Sequence, residues 1–293
     1  MRLLTFIAVL LAAAASAAAQ TSSASVVGRV TDASGAVIVG VSIKITNLDT
    51  NISQAGSSNE AGDFTIPYVP PGRYSLEAGS AGFRTYRRAE FTLTVDQAMR
   101  IDIPLEVGSA SESITVTDSA PALNTESGAR GEVTTNEEIA EMPLDGRNYA
   151  DLAYLTGGVI PKGDGGDGQY AVNGARADNI GFLIDGMNNT QRRNTGAVIN
   201  LSLEGVQEFK MITSGFAAEY GRYAGGVLSV ITKSGTNRLR GSFYEFIRND
   251  VWDAVSYFDV EKSKLRRNQF GATVTGPVYI PKLYDGRNRT FFM

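Results

Sequence analysis

The chain has 293 residues, is 43% hydrophobic and carries a net charge of −4 from 27 basic and 31 acidic side chains. That composition supports packed cores and lacks the electrostatic footprint of a nucleic-acid binder. Cysteine and histidine are both missing from the sequence. Their absence excludes thiol nucleophiles, histidine triads, disulfides and the usual nitrogen and sulfur ligands of zinc, so neither an enzyme nor a metal or cofactor site is expected.

The first residues, "MRLLTFIAVLLAAAASAAAQ", hold one positive charge at Arg2, an apolar run from Leu3 to Ala15, and small residues ending in Ala17, Ala18 and Ala19 before Gln20. This is the order of a secretory signal peptide over residues 1–19, cleaved after Ala19. The apolar run falls short of the roughly 20 residues that a spanning helix needs. No later stretch is apolar enough to span as a helix, so strands must do any spanning.

From Ala24 to Val107 the text reads as short alternating runs, "SVVGRVTD", "VSIKITNL", "GDFTIPYV", "GRYSLEAG" and "MRIDIPLEV", divided by "ASGA", "NEAGD" and "VPPG". In "VSIKITNL", Val41, Ile43 and Ile45 share one face while Ser42, Lys44 and Thr46 share the other, the pattern of a strand with one buried side. Short strands punctuated by Gly, Pro and Asp argue for an all-β sandwich without helices. Residues 24–107 resemble the carboxypeptidase regulatory-like domain, a small seven-stranded prealbumin-like or Ig-like sandwich, through Gly28, Asp32, Gly35, Gly62, Pro71, Gly72, Tyr74, Gly82 and Phe83. The roles implied are those of a scaffold: glycines at turns, Pro71 with Gly72 before the Tyr74 strand, and Phe83 plugging one end. No peptidase activity comes with the resemblance.

Residues 108–130, "GSASESITVTDSAPALNTESGAR", have the composition of an extended linker with one β-capable run, "SITVT". One reading is a simple tether. The other is a contact segment, because Glu112, Ser113, Ile114, Thr115, Val116, Thr117 and Asp118, "ESITVTD", resemble a TonB box. Such a segment adds as a β-strand to the periplasmic energy-coupling protein TonB, and main-chain hydrogen bonds carry most of the recognition.

In "TTNEEIAEMPLDGRNYADLAYLTGGV" a Thr and an Asn suited to capping precede acids, and Ile139, Met142, Leu152 and Leu155 recur at roughly helical spacing around Pro143. Two short helices are expected. "YAVNGARADNIGFLIDGMNN" then gives strand, polar turn and strand, and "VQEFKMITSG" and "GGVLSVITKSG" give two strands more. This α+β string, residues 131–237, resembles the plug domain of TonB-dependent outer-membrane receptors. Within it, Asp185 before Gly186 reads as a turn rather than a ligand contact. "GDGGDG", residues 163–168, has the spacing of a phosphate-binding glycine fingerprint, but no helix pattern follows and Asp164 and Asp167 would repel an anion; a loop is expected there. "EYGRYAGG" offers Glu219, Arg222 and two tyrosines as a possible solute contact, and in the family it leads the plug into the barrel wall.

Residues 238–293 alternate again. Ser242, Tyr244 and Phe246 oppose Phe243, Glu245 and Ile247, while Gln269, Gly271, Thr273 and Thr275 oppose Phe270, Ala272 and Val274. "YDGRNRT" then supplies a turn before the apolar "TFFM". These are the amphipathic strands expected of a transmembrane β-barrel, and they resemble the first barrel strands of Oar-like TonB-dependent transporters. Receptors of this kind close 22 strands, so an N-terminal fragment is expected. The resemblance implies uptake of a solute, a saccharide or peptide among the candidates, across the outer membrane with energy from TonB. Partners are then TonB and outer-membrane lipid, with no nucleic acid and no assigned solute-contact residue. The fold class expected is mainly β and multidomain. An alternative function is a secreted or surface carbohydrate-binding or adhesion β-sandwich protein.

Overall fold

The structure, a computed structural model, describes residues 23–108, 113–116, 126–142, 144, 147–161, 170–191, 196–255, 257, 260–262 and 264–293. The expected signal peptide and the "GDGGDG" loop lie outside the described residues. The chain divides into two compact units, Met1–Thr232 and Lys233–Met293.

The first unit opens with β1 (Ala24–Asp32), β2 (Ser42–Asn47), β3 (Ser53–Ser57), β4 (Asp63–Val69), β5 (Gly72–Gly79), β6 (Thr85–Leu93), β7 (Ala98–Arg100), β8 (Ile103–Leu105) and β9 (Ser113–Val116). One sheet runs β4-β1-β7 with β8 also on β1, and the other runs β3-β2-β5-β6-β9. Alternation turns Ala24, Val26 and Val30 of β1, Ile43 and Ile45 of β2, and Tyr74, Leu76 and Ala78 of β5 into one core. The sequence read "MRIDIPLEV" as a single strand; the structure breaks it into β7 and β8, which follow one another along β1 in parallel. The break is held by Ile101 N donating to Val27 O at 2.8 Å and Arg29 N donating to Asp102 Oδ1 at 3.0 Å. Here the chains approach so closely that a Cβ on Gly28 would sit 1.9 Å from the Ile101 carbonyl oxygen, so no other residue fits at position 28. Phe83 closes one end as expected: it packs against the core and bridges to Val107. The sequence reading missed β3 and β6.

The same unit continues with β10 (Arg130–Thr135), α1 (Asn136–Glu141), a 3-10 turn at Tyr149–Leu155, β11 (Val159–Pro161), β12 (Tyr170–Val172), β13 (Ile180–Ile184), β14 (Met187–Asn188), β15 (Val206–Ser214) and β16 (Gly226–Thr232). A second five-stranded sheet has the order β10-β15-β16-β13-β14, with β13 parallel to β16. Glu138 starts α1 by accepting hydrogen bonds from Thr135 N at 2.8 Å and Thr135 Oγ1 at 3.0 Å. Ile139 and Leu152 are fully buried and Met142 packs on the core, as helical spacing suggested. Leu155 is exposed instead, because the second helix is a short 3-10 turn that ends there, and Tyr149 fills the core in its place. Asp185 and Gly186 both take positive φ in the β13–β14 turn, and the Asp185 carboxylate accepts from Thr232 N and Oγ1 at 2.9 and 2.8 Å. That carboxylate is a turn lock.

The second unit contains β17 (Arg240–Asn249), β18 (Arg266–Pro277), β19 (Tyr279–Ile280), β20 (Tyr284–Asp285) and β21 (Phe291–Phe292). β17 pairs antiparallel over its full length with residues Arg266–Thr275 of β18, with Ser242 opposite Thr273, Tyr244 opposite Gly271 and Phe243 opposite Ala272. The Tyr244 ring lies over Gly271, where a Cβ would clash with its hydroxyl. "TFFM" forms the short β21, paired back onto Gly276 and Pro277, and the small hairpin β19–β20 between them was missed from sequence.

Candidate coupling site at the sandwich edge and junction

Of the seven residues singled out as a contact segment, Ser113, Ile114, Thr115 and Val116 form β9; Glu112, Thr117 and Asp118 lie outside the described residues. β9 pairs in parallel with the first half of β6, Thr85 with Ser113 through Arg88 with Val116, and Thr115 is exposed. Residues 108–130 are therefore not a uniform tether. The β-formers Ile114, Thr115 and Val116 take the open edge that β6 offers, Arg100 pairs with Glu126 at 3.2 Å, and Arg130 already begins β10.

At its other end β6 runs into the turn Thr94–Gln97, held by Thr94 N donating to Gln97 Oε1 at 2.9 Å. This turn clasps β15. Val95 N donates to Glu208 Oε2 at 2.8 Å, and Lys210 Nζ donates to Val95 O at 2.9 Å and Asp96 O at 3.3 Å. The Asp96 carboxylate lies 4.0 Å from Lys210 Nζ, with the Tyr220 phenol beside it. Alternation along β15 explains the arrangement: Phe209 and Met211 enter the core of the second sheet, while Glu208 and Lys210 face the turn. Val95, Glu208 and Lys210 are buried, at 0%, 5% and 7% exposed, while Asp96 and Tyr220 are half-buried at its edge. Burial pushes the Glu208 carboxyl up to about 6 and raises Asp96, and it lowers Lys210, because each charged form loses its water.

The "EYGRYAGG" run splits in role. Tyr220 lies beside Asp96, whereas the Tyr223 hydroxyl meets Thr190 Oγ1 at 3.1 Å and its ring covers Gly181. Glu219 and Arg222 are exposed. In "MPLDGRNYADL", Arg147 pairs with Glu204 at 2.6 Å and the Tyr149 hydroxyl accepts from Asn189 Nδ2 at 3.0 Å. Burial pushes the Tyr149 phenol up to about 12, so it stays neutral and structural. Among the described residues there is no cluster of carboxylates suited to a metal ion, and no helix is long and apolar enough to cross a membrane. Sequence reasoning missed the Asp96, Glu208, Lys210 and Tyr220 cluster entirely.

Comparison with known proteins sets these features in context. Residues 25–106 match the carboxypeptidase regulatory-like domain, and residues 231–293 match the outer membrane beta barrel domain. The chain is thus mainly β, with a carboxypeptidase regulatory-like domain and, after it, residues that match an outer membrane beta barrel domain. Over 279 residues, 89% of the chain, it is 25% identical to the TonB-dependent transporter Oar of Myxococcus xanthus, and it spans 26% of that relative's length. Two solved siderophore receptors are also similar. PirA from Pseudomonas aeruginosa is 24% identical, with a TM-score of 0.39 over 51% of this chain and 24% of that one. PirA from Acinetobacter baumannii is 24% identical, with a TM-score of 0.39 over 50% and 22%.

Proposed function

We propose that these residues serve a TonB-dependent outer-membrane transporter that takes a small solute, a saccharide or peptide among the candidates, into the periplasm with energy from TonB. In this reading residues 1–19 direct export and are removed after Ala19, and residues 24–107 form the sandwich. The segment Glu112–Asp118 contacts TonB, residues 131–237 act as the plug, and residues 238–293 enter the barrel wall. The observation that carries it is the two-faced β17–β18 pair. On one face Phe243 is 90%, Phe270 77% and Ile247 56% exposed, with Glu245 opposite Phe270 and Asn268 opposite Ile247; on the other lie Ser242, Gln269 and Thr273 beside Tyr244 and Phe246. A strand pair with an outward apolar stripe is stable where lipid covers the stripe, and its backbone needs neighbouring strands to complete the hydrogen bonds. Water is the wrong solvent for it.

Sedimentation of residues 20–232 and 20–293 at matched concentration is the test. The shorter chain, without the second unit, is expected to be a monomer in buffer, and the longer one to associate or require detergent. A longer chain that is an equally well-behaved monomer without detergent would contradict the barrel reading.

A further inference from the structure

Beyond Pro277 the chain makes the small hairpin β19–β20 and returns as β21, and this turn is held firmly to the base of the β17–β18 pair. Val278 N donates to Thr290 O and Gly286 N donates to Val278 O, both at 2.9 Å, and a Cβ on Gly286 would sit 2.6 Å from that Val278 oxygen. Asn237 and Asn288 exchange two hydrogen bonds, at 2.7 and 2.8 Å, so the turn is fixed beside the point where the chain enters β17. What it presents is basic and apolar together. Lys282, Arg287 and Arg289 are exposed against the single acid Asp285, whose carboxylate accepts from Arg287 N at 3.1 Å. The Arg287 guanidinium lies 5.6 Å over the Tyr279 ring, and Tyr279, Ile280 and Leu283 are exposed, Leu283 at 81%. Residues 250–265, which join β17 to β18 at the other end, have the opposite sign: Asp250, Asp253, Asp259 and Glu261 outnumber Lys262 and Lys264.

We propose that the β19–β20 turn docks on the headgroups of anionic phospholipid, with Lys282, Arg287 and Arg289 on the phosphates and Tyr279, Ile280 and Leu283 at the boundary with the acyl chains. The proposal rests on the barrel reading of residues 238–293, and adds which end of the strands meets the anionic leaflet and through which residues. The apolar stripe of Phe243, Phe270 and Ile247 runs along the same strand pair, so lipid that covers the stripe brings its headgroups to the ends of the pair. There a guanidinium can hydrogen-bond phosphate oxygens two at a time, and aromatic rings with a polar tip sit between water and hydrocarbon. The difference in charge between the two ends selects the basic one for a negative surface.

The chain has no cysteine, so single probes can be placed cleanly. An environment-sensitive fluorophore on Leu283→Cys, in the full chain in uncharged maltoside micelles, is followed as phosphatidylglycerol is added to the micelles. Its emission is expected to move to the blue with a saturating midpoint, while phosphatidylcholine and inorganic phosphate leave it in place. Adding Arg287→Gln and Arg289→Gln should raise the midpoint by about tenfold or more, and Lys282→Gln alone, a change at an exposed side chain, by about fivefold. The same fluorophore on Val260→Cys, in the opposite loop, should not respond. An equal shift with phosphatidylcholine, or a midpoint unmoved by all three glutamine substitutions, would show apolar insertion without recognition of phosphate and would overturn the proposal. An equal shift at Val260→Cys would show general adsorption, and a blue shift that grows with protein concentration in the absence of lipid would assign the turn to a second copy; either also overturns it. A probe on Phe270→Cys separates this inference from the barrel reading. If its emission stays that of water in every micelle, the barrel reading fails and the inference with it; if it is shielded while Leu283→Cys ignores phosphatidylglycerol, the inference alone fails.

Discussion

Lys210→Met lowers the stability of residues 20–232 by about 3 kcal/mol in urea titrations, the loss expected when one partner of a buried charged cluster is removed. Lys210 is the single cation among Asp96, Glu208 and Tyr220, and its side chain is only 9% exposed. Methionine fills the volume but leaves two buried carboxyls without a counter-charge and the Val95 carbonyl without its donor. The clasp is then broken, and unfolding should split into separate transitions for the sandwich and the second sheet, since each has its own core. Adding Asp96→Asn to Lys210→Met should recover part of the loss, because one uncompensated charge disappears. An unchanged single transition in Lys210→Met would contradict the clasp.

Acidification strengthens the same junction. The carboxyl of Glu208 is raised by burial from an ordinary 4.5 to about 6 in the folded chain, so the folded state holds its proton more tightly than the unfolded state. The resulting stabilisation is fully present below about 4.5 and is lost as pH rises through about 6. Its size is about 2 kcal/mol, because each tenfold gain in proton affinity is worth about 1.4 kcal/mol. Asp96, also raised, acts in the same direction, whereas Lys210, lowered by burial, acts in the opposite one. The comparison with Glu208→Gln isolates Glu208 from both. Unfolding of the wild-type chain minus that of Glu208→Gln, measured from pH 7 to pH 5, should show wild type gaining on the variant as pH falls. A difference that stays flat would mean that Glu208 is solvated in the folded protein.

Much of the fold is legible where one rule governs it. Period-2 alternation located β1, β2, β4 and β5, the helix-cap pattern Thr135 to Glu138 located α1, and Asp185-Gly186 announced a hairpin turn. Within the sandwich, the strands that escaped are those whose residues carry no apolar period: β3 is "SQAGS", and β6 carries Arg87, Arg88 and Glu90 among its apolar positions. The break between β7 and β8 depends on how closely Ile101 passes Gly28, a tertiary fact with no local sequence mark. The candidate site divides in the same way. "SITVT" stood out as a β-former in a polar stretch, but its partner is a parallel strand 28 positions earlier in register, and no pattern in either segment names the other. Glu208 and Lys210 alternate with Phe209 and Met211 as they would on a strand with one face in water, so only the contact with Val95 and Asp96 reveals that the charged face is covered.

Energy from TonB enters the transporter, in this reading, through the contact with Ser113–Val116, and calorimetric titration of the full chain in detergent with TonB's C-terminal domain measures that contact directly. Thr115→Pro and Val116→Pro are titrated beside wild type. Proline removes an amide donor, and the amides of these neighbouring residues point to opposite sides of β9, so one substitution strikes the outer edge and the other the β6 side. Wild type is expected to bind, and the outer-edge substitution to weaken binding by about tenfold or more, the loss of roughly one hydrogen bond with added steric clash. Equal affinity for wild type and both proline variants would contradict the assignment of this strand as the point where energy enters the transporter.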